Sequence, residues 1–437
     1  MMALATPVVL AEIGWVSMGL VDTIVVGPLG PAAIGAVGIG SILFQALAIF
    51  GMGLLLGLDT LVSHAFGAGH PDECRRWLVH GLWLSALVAP PLTLLAFAGI
   101  WLLPSLGFPG EVLRLVDPYL RVIAWSLLPL LLYASFRRYL QAIGIVRPVT
   151  IALVTANGIN AVAAWALVYG HLGAPPLGTT GSAVATLCAR VYLAAFLLAA
   201  VARHWRSRGD EGRVAWKPRR RSLIRLLGLG LPAASQVTLE LGVFAAASAL
   251  AGRLDPVSLA SHQITLNLAS LTFMVPLGIA SAGAVRVGHA VGRGDGPGAR
   301  RSGWTALLLG ATFMACAALA FVGVPGLLVG VFSSSAAILA LTTRLLLIAA
   351  MFQLFDGLQG VSTGILRGLG DTRTPMFANL VGHWAFGLPL GYALCFWRGW
   401  GVVGLWVGLS FGLIAVAIAL VATWQRRIEA LRWHAGG

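Results

Sequence analysis

Long apolar runs separated by short polar intervals make up almost the whole chain. Each run is continuous over about 20 residues or more, the length that an α-helix needs to cross a bilayer. The alternating segments of a membrane β-barrel are not seen. The pattern therefore predicts an all-α polytopic membrane protein with about twelve transmembrane helices. We place the helices near residues 5–27, 33–61, 78–104, 116–137, 148–170, 178–202, 224–251, 258–286, 302–332, 336–366, 374–396 and 400–424.

The polar intervals carry positive charge on alternate sides of the predicted membrane. Most of the 29 Lys and Arg residues fall in every second interval, including the run from Arg203 to Arg225. Cytoplasmic loops are the ones enriched in Lys and Arg, so the pattern places both termini in the cytoplasm. The interval 203–223 is the longest polar stretch. We interpret it as a non-helical cytoplasmic linker between an N-terminal lobe (1–202) and a C-terminal lobe (224–437).

Composition agrees with a membrane protein and excludes other classes. The 437 residues are 58% hydrophobic and only 10% charged, whereas soluble domains have about 25% charged residues. The net charge of +14 follows from the loop pattern, so we expect membrane lipid and no nucleic acid as a partner. No cleavable signal peptide is evident, and residues 1–27 are interpreted as a retained first helix.

The two halves of the sequence repeat each other at a constant spacing. The spacing that separates Pro7 from Pro232 also separates Gly27 from Gly252. It continues without a gap through the paired glycines and arginines near positions 67–76 and 292–301. A six-helix unit contains an even number of spans, so the two lobes predicted by the duplication are parallel in the membrane. Such a protein can expose a cavity alternately to the two sides.

Acidic side chains inside the apolar runs are the clearest functional signal. They are Glu12, Asp22, Asp59, Glu240 and Asp356. A charge at the centre of a bilayer costs about 2.5–3.5 kcal/mol on insertion scales, so such residues face a cavity, a partner or an ion. Arg190 is the one basic residue that we expect at similar depth. Most of these acids should therefore lack an ion-pair partner.

These acids are not repeated between the halves. At the spacing of the repeat, Asp22 corresponds to Ala247 and Glu240 corresponds to Trp15. Asp356 corresponds to an apolar stretch. A purely structural role should recur in both halves, so we interpret Asp22, Glu240 and Asp356 as ion-coupling residues.

A buried carboxyl group disfavours its charged form, so it can exchange a proton for Na⁺ or for an organic cation. That exchange is the chemistry of an antiporter. For Glu12, a place in a substrate cavity and a structural role are equally supported. Asp59 lies near a cytoplasmic helix end, which favours helix packing or a gate.

Polar and aromatic side chains accompany the acids. The polar residues are Asn157, Asn160, Thr186, Gln236, Gln263 and Asn267. Their oxygen atoms suit hard cations such as Na⁺, although each also fits an ordinary hydrogen bond between helices. Trp15, Phe355 and Trp384 could bind flat organic cations through cation–π contacts, or simply pack. We expect no other metal and no cofactor.

Several segments resemble the NorM-like branch of the multidrug and toxic compound extrusion (MATE) family. The run PVVLAEIGWVSMGLVDTIVVGPLGPAAIGAVG (7–38) is similar to the family's first helix, with Asp22 in its VDT motif. The run LDTLVSHAFGAG (58–69) is similar to the end of its second helix. Residues 259–295 and 352–375 resemble its second lobe.

The resemblance implies two six-helix lobes and export of organic, mostly cationic, drugs driven by Na⁺ or H⁺. Asp22, Glu240 and Asp356 match membrane acids implicated in coupling, and Asn160 and Thr186 match positions of a first-lobe cation site.

Two positions depart from the family pattern. Some members carry a second acid four residues after the matching Asn, where this chain has Ala164. Glu12 occupies a position that is often uncharged. The first-lobe site is therefore expected to be weaker or rearranged, and the coupling ion stays open.

Other functional classes are less well supported. A flippase of a lipid-linked precursor, from a related two-lobe class, should line its cavity with several Arg or Lys residues, whereas the deep charges here are acidic. A major-facilitator carrier also has parallel halves but lacks the segments above. No HExxH motif indicates a metalloenzyme. We expect a monomeric, multi-pass transporter of the bacterial inner membrane.

Overall fold

The computed structural model describes residues 2–207 and 216–430, and in that part of the chain it contains helices and no strand. Eleven of its helices are long and apolar enough to cross a membrane. A helix pair that is bent by 44° makes the number twelve when the pair is counted as one span. The predicted all-α architecture with about twelve transmembrane helices is confirmed.

Eight helices precede the linker. They are α1 (Met2–Val26), α2 (Pro31–Leu54), α3 (Gly57–Gly67), α4 (Pro71–Leu102), α5 (Gly110–Ala124), α6 (Leu127–Ala142), α7 (Arg147–Tyr169) and α8 (Thr179–Ser207). Helices α2 and α3 together form one span, and α5 and α6 are the bent pair.

Eight further helices follow the linker. They are α9 (Arg220–Ala251), α10 (Pro256–Gly292), α11 (Gly296–Gly323), α12 (Pro325–Gly330), α13 (Ala336–Leu369), α14 (Arg373–Asn379), α15 (Leu388–Tyr392) and α16 (Gly401–Ala430). The π-helical segments Leu380–Gly387 and Ala393–Trp397 join α14 and α15 into one span, Arg373–Trp397.

Helix boundaries reproduce the repeat found in the sequence. Helix α2 starts at Pro31 and α10 starts at Pro256, which are separated by the same spacing as Pro7 and Pro232. Proline is favoured in the first helical turn because its missing N–H has no intrahelical partner there. The ends of α3 at Gly67 and α10 at Gly292 also have this spacing. The two halves therefore share their helical framework as well as their glycines and prolines.

Chain contacts divide the protein into two compact units. The first unit is Thr6–Ala234, and the second comprises the residues up to Ala5 together with the chain from Ser235 onwards. The boundary falls within α9. The predicted linker is partly helical, because α8 continues to Ser207 and α9 begins at Arg220. Its residues 208–215 lie outside the described residues, and the lobe limits at 202 and 224 stay a prediction.

One predicted helix ends earlier than expected. The span predicted at 302–332 stops at Gly323, and the short α12 begins at Pro325. Proline cannot donate a backbone hydrogen bond and disfavours helical geometry at the residue before it. Val324 accordingly has an extended φ of −135°.

The first unit contains a tight turn inside its second span. Between α2 and α3, the backbone N–H groups of Leu55 and Leu56 bond three residues back, at 3.1 and 3.0 Å. The start of α9 packs directly against this turn. A Cβ atom on Gly230 would lie 1.9 Å from the backbone oxygen of Leu54. Only glycine allows this approach, so Gly230 fixes α9 against the break.

In the second unit, α16 packs closely on the span Arg373–Trp397. A Cβ on Gly408 would lie 2.1 Å from the backbone nitrogen of Gly391, and one on Gly412 would lie 2.4 Å from the oxygen of Gly382. Small residues allow this kind of packing between membrane helices. The π-helical turns occur where these backbones meet, and π-turns often accompany functional sites.

Candidate functional site

The first unit buries a polar cluster around Asp22. The side chain is only 6% exposed. Its two carboxylate oxygens each accept a hydrogen bond, one from Asn160 Nδ2 at 2.9 Å and one from Thr186 Oγ1 at 2.8 Å. Hydrogen bonds to a charged group are among the stronger ones in proteins. The structure thus brings together the three residues that the sequence predicted for a first-lobe site, on α1, α7 and α8.

Helix α7 holds α1 in place through its backbone. Three α7 side chains donate hydrogen bonds to backbone oxygens of α1. The pairs are Thr150 to Pro7 at 3.0 Å, Asn157 to Gly14 at 2.9 Å and Tyr169 to Val25 at 2.6 Å. The residue numbers rise together on both helices, so α1 and α7 run parallel. The side-chain nitrogen of Asn157 therefore makes a hydrogen bond between helices. These contacts fix the register in which Asn160 meets Asp22.

The second acid found in some family members is absent from this site. Ala164 lies on α7, four residues after Asn160, and is fully buried. Asp22 is therefore the one carboxylate that the described hydrogen bonds bring to Asn160 and Thr186.

Two of the five acids form ion pairs with arginines. Glu12 pairs with Arg137, and the two side chains are 12% and 8% exposed. Asp59 pairs with Arg138 at 3.3 Å. Both arginines lie inside α6. Glu12 is therefore a partner of Arg137, which leaves the structural interpretation of this residue better supported than a place in a substrate cavity.

Aromatic rings pack around Trp15 and Arg190 in the first unit. Trp15 stacks on Tyr133 with 6.5 Å between ring centroids and an interplanar angle of 4°. The guanidinium of Arg190 lies 4.3 Å from the centroid of the Phe44 ring and 5.9 Å from that of Trp15. Trp15, predicted as a cavity aromatic, is thus already in contact with a cation from its own chain.

The second unit contains a different polar cluster, on α9 and α13. Gln236 Nε2 donates to Glu240 at 2.7 Å, and the amide of Gln359 also acts on this carboxyl group. Asp356 is 8% exposed. Its carboxyl group interacts electrostatically with that of Glu240. Within residues 2–207 and 216–430, no donor hydrogen-bonds to Asp356. Two acids thus act on each other here, without an arginine partner like those of Glu12 and Asp59.

The hydrogen bonds near Asp356 determine the orientation of the side-chain amides of Gln353 and Gln359. A backbone oxygen can only accept, so Asn379 presents its nitrogen to Pro375 O at 2.9 Å and its oxygen to Gln359. Gln359 must then donate with its nitrogen. Gln353 likewise donates to Thr272 at 2.6 Å, because the Thr272 hydroxyl is itself donating to a backbone oxygen.

Both glutamines consequently keep a free oxygen. Gln353 Oε1 and Gln359 Oε1 are buried and have no hydrogen-bond partner in the described part of the chain. They flank Asp356 on α13, three residues to either side. Carboxylate and amide oxygens are suitable ligands for a hard cation. The sequence reasoning missed both glutamines, although their spacing around Asp356 was visible.

The remaining predicted cavity residues are spread over the second unit. Gln263 and Asn267 on α10 are exposed, and no described contact joins them to the acids. The Trp384 indole donates to Leu239 O at 3.0 Å, so it packs on α9. Phe355 borders a groove of about 420 Å³ between α13 and α16, and Gln425 and Arg426 also line this groove.

Corresponding positions of the two units carry different chemistry. Trp15 and Tyr133 stack on each other in the first unit. At the spacing of the repeat, Trp15 corresponds to Glu240. Tyr133 corresponds to Gln359, at a spacing that is one residue longer. Conversely, Asp22 corresponds to Ala247, which lies in an apolar cluster with Val243 and Leu409. Each unit thus has polar groups where the other is apolar, on the same framework.

One buried polar cluster has no counterpart among the sequence predictions. Trp406 Nε1 donates to His262 Nδ1 at 3.1 Å, and His262 Nε2 lies 2.8 Å from Ser248 Oγ. Because an indole nitrogen only donates, Nδ1 must accept and Nε2 carries the proton. His262 is therefore a neutral link between α9, α10 and α16. In the described chain, no group of three or more His, Cys, Asp or Glu residues is placed to hold a metal.

Comparison with known families gives matches over both repeats. The model of the MatE family matches residues 7–166 and 232–393. A probable multidrug resistance protein NorM of Mesorhizobium japonicum is 37% identical over 438 residues, covering 98% of this chain and 93% of that protein. A multidrug resistance protein NorM of Burkholderia vietnamiensis is 36% identical over 434 residues, covering 98% and 94%.

Solved structures share the fold. The eukaryotic MATE transporter AtDTX14 has a TM-score of 0.86 and 21% identity, covering 99% of this chain and 95% of that one. A MATE protein in the bent conformation has a TM-score of 0.88 and 20% identity, with coverages of 98% and 94%.

Proposed function

Because the chain belongs to the MatE family, we propose that it is a multidrug efflux transporter that exchanges organic, mostly cationic, compounds for Na⁺ or H⁺. Such a protein is a transporter and not an enzyme. Its cargo crosses by alternating access, in which the binding site is exposed first to one side of the membrane and then to the other. Its relatives named NorM are described as multidrug resistance proteins.

The Asp22 cluster is the observation that best supports ion coupling. A carboxyl group within a transmembrane helix is costly unless it binds a partner or an ion. Asp22 has neutral donors, Asn160 and Thr186, rather than an arginine in contact. Neutral donors stabilise the carboxylate yet leave its charge to be neutralised by an incoming ion. Asp22 can therefore alternate between an empty and an ion-bound state.

We assign a second coupling role to Glu240 and Asp356. The charge of Glu240 acts on Asp356, and two nearby acids resist being ionised together. One added positive charge, from a proton, Na⁺ or a cationic substrate, relieves this repulsion. Competition between ion and substrate for the same acids would couple their movements in opposite directions.

Cationic cargo is favoured over the anionic cargo of a lipid-precursor flippase. Of the buried arginines, Arg75 and Arg137 are already paired with acids. Arg190 alone is a poor match for a pocket built around lipid phosphates. The aromatic side chain of Phe355, which borders the groove between α13 and α16, supplies a face of the kind that binds organic cations. The flippase remains the alternative proposal.

We also propose the bacterial inner membrane as the location, with both termini in the cytoplasm. An even number of spans places the two ends on one side, and the basic loops favour the cytoplasmic side. The protein is proposed to act as a monomer, because each candidate site is completed by residues of one chain.

Transport in proteoliposomes tests this proposal. The purified protein is given ethidium, a fluorescent organic cation, together with either a Na⁺ gradient or a proton gradient of equal size. We expect one gradient to drive ethidium against its own concentration difference. Absence of ethidium movement with both gradients, combined with movement of a fluorescent lipid phosphate, would instead support the flippase.

A further inference from the structure

Arg190 lies one helical turn from the first-unit site. It follows Thr186 by four residues on α8, so both side chains leave the same face of that helix. Arg190 is 6% exposed, and Thr186 donates to Asp22. The guanidinium is therefore buried in the same interior as the Asp22 carboxylate.

Neutral groups hold this guanidinium. Its Nη1 donates to Ser126 Oγ at 2.5 Å, at the bend between α5 and α6. The rings of Phe44 and Trp15 provide cation–π contacts. Its Nε is buried without a hydrogen-bond partner in the described part of the chain. Arginine is always protonated in proteins, so these contacts surround a full positive charge.

No carboxylate among the described residues lies within 4 Å of this charge. Arg137, by contrast, is in direct contact with Glu12. A buried charge without an opposite charge is strongly unfavourable. The groups that act electrostatically on Arg190 are Tyr119 on α5 and Asp22 on α1. A tyrosine hydroxyl is uncharged at neutral pH, so Asp22 is the acid that compensates Arg190 through space.

We propose that Arg190 is the counter-charge of the Asp22 site and sets how weakly this site holds the coupling ion. In the empty state, the charges of Asp22 and Arg190 compensate each other. When an ion neutralises Asp22, the Arg190 charge loses this compensation. Arg190 therefore opposes ion binding and promotes ion release, which an exchanger needs in every cycle.

Replacing the charge should tighten ion binding. This inference rests on the proposed role of Asp22 in binding the coupling ion. Ethidium efflux from proteoliposomes is measured in a pH series and separately in a NaCl series. In Arg190→Met, the coupling ion should reach its half-maximal effect at a concentration about tenfold lower, within the usual range for coupling between two sites. Arg190→Lys keeps the charge and should resemble the wild type.

Matched variants separate charge from structure. Arg344 is an exposed basic residue on α13, and Arg344→Met should show no shift. Arg190→Gln also removes the charge but can still donate to Ser126, and it replaces Arg190→Met if that variant does not accumulate. Equal half-maximal concentrations in the wild type and in the neutral variant would overturn the proposal. Equal shifts in Arg190→Lys and the neutral variant would also overturn it, because the role would then depend on shape.

Asp22→Asn distinguishes failure of this inference from failure of the proposed function. If Asp22→Asn leaves ion-dependent efflux unchanged, the first-unit coupling site itself is wrong. If Asp22→Asn abolishes ion dependence while the neutral Arg190 variants show no shift, only the counter-charge is wrong. In the background of Asp22→Asn, loss of Arg190 should cause no further change in ion response.

Discussion

Thr186 provides the sharpest test of the Asp22 site, because its hydroxyl has one proton and three possible acceptors. The nearest is Asp22 Oδ2 at 2.8 Å, followed by Ser182 O at 3.1 Å and Asn160 Oδ1 at 3.4 Å. While Asp22 is ionised, the hydroxyl donates to it. Once an ion neutralises Asp22, the proton can turn to Ser182 O. A lone pair of Thr186 then faces the ion.

Thr186→Val removes the hydroxyl and nearly preserves the shape of the side chain. A hydrogen bond to a charged group is worth about 1.5–3 kcal/mol, and each 1.4 kcal/mol is about tenfold in affinity. The empty carboxylate of Asp22 should lose about that much stabilisation. If H⁺ is the coupling ion, the half-maximal proton concentration should fall by about 10- to 100-fold. If Na⁺ is the ion, its half-maximal concentration should rise, because Thr186 Oγ1 is lost as a ligand.

The assay is ethidium efflux from proteoliposomes, with pH and NaCl varied one at a time. Thr186→Ser restores the hydroxyl and should return the wild-type response. Asp22→Asn should remove the ion response altogether. An unchanged half-maximal concentration for both ions in Thr186→Val, alongside a functional protein, would refute the proposed role of this hydrogen bond.

Three further predictions concern other parts of the protein. Asp356→Asn and Glu240→Gln should each abolish ion-driven efflux without affecting membrane insertion, and drug resistance at the wild-type level in both variants would contradict the assignment. Arg137→Met should destabilise the solubilised protein by about 3–5 kcal/mol because it leaves Glu12 buried and unpaired; a thermal melt should show recovery when Glu12→Gln is added, and no recovery would argue against the ion pair. The Ser258 hydroxyl and N–H hold the pKa of Asp255 below its usual value, so this cap stabilises α10 above the usual aspartate pKa and is lost as the pH falls through the lowered value. Asp255→Ala should accordingly lower Tm at neutral pH but not in strong acid, whereas Asp255→Asn should stay close to the wild type.

The sequence carried enough information for the framework and for the centre of the first site. Long apolar runs predict spans directly, and repeated residues such as Pro31 and Pro256 mark helix starts in both halves. Asp22 stood out because a lone acid in an apolar helix is costly. Its partners Asn160 and Thr186 came from the family resemblance. In each case the signal was local, or it lay in a motif that the chain preserves.

Pairings over long distances could not be obtained in the same way. Glu12 and Arg137 are 125 residues apart, and their contact depends on how α1 packs against α6. Arg137 is the last residue of the span predicted at 116–137, and its position in the sequence does not reveal a buried partner. The free oxygens of Gln353 and Gln359 depend on a hydrogen-bond chain that ends at backbone groups. Such chains exist only once the helices are packed.

Movement of the ion in response to substrate is the most direct test of the exchange mechanism. An ethidium gradient is imposed across proteoliposomes that have no ion gradient, and internal pH and Na⁺ are followed with fluorescent indicators. The proposed mechanism predicts that ethidium moving in one direction drives H⁺ or Na⁺ in the other. This ion movement should be absent in a variant that combines Asp22→Asn, Glu240→Gln and Asp356→Asn. Ethidium transport by the wild type without movement of either ion would contradict cation-coupled exchange.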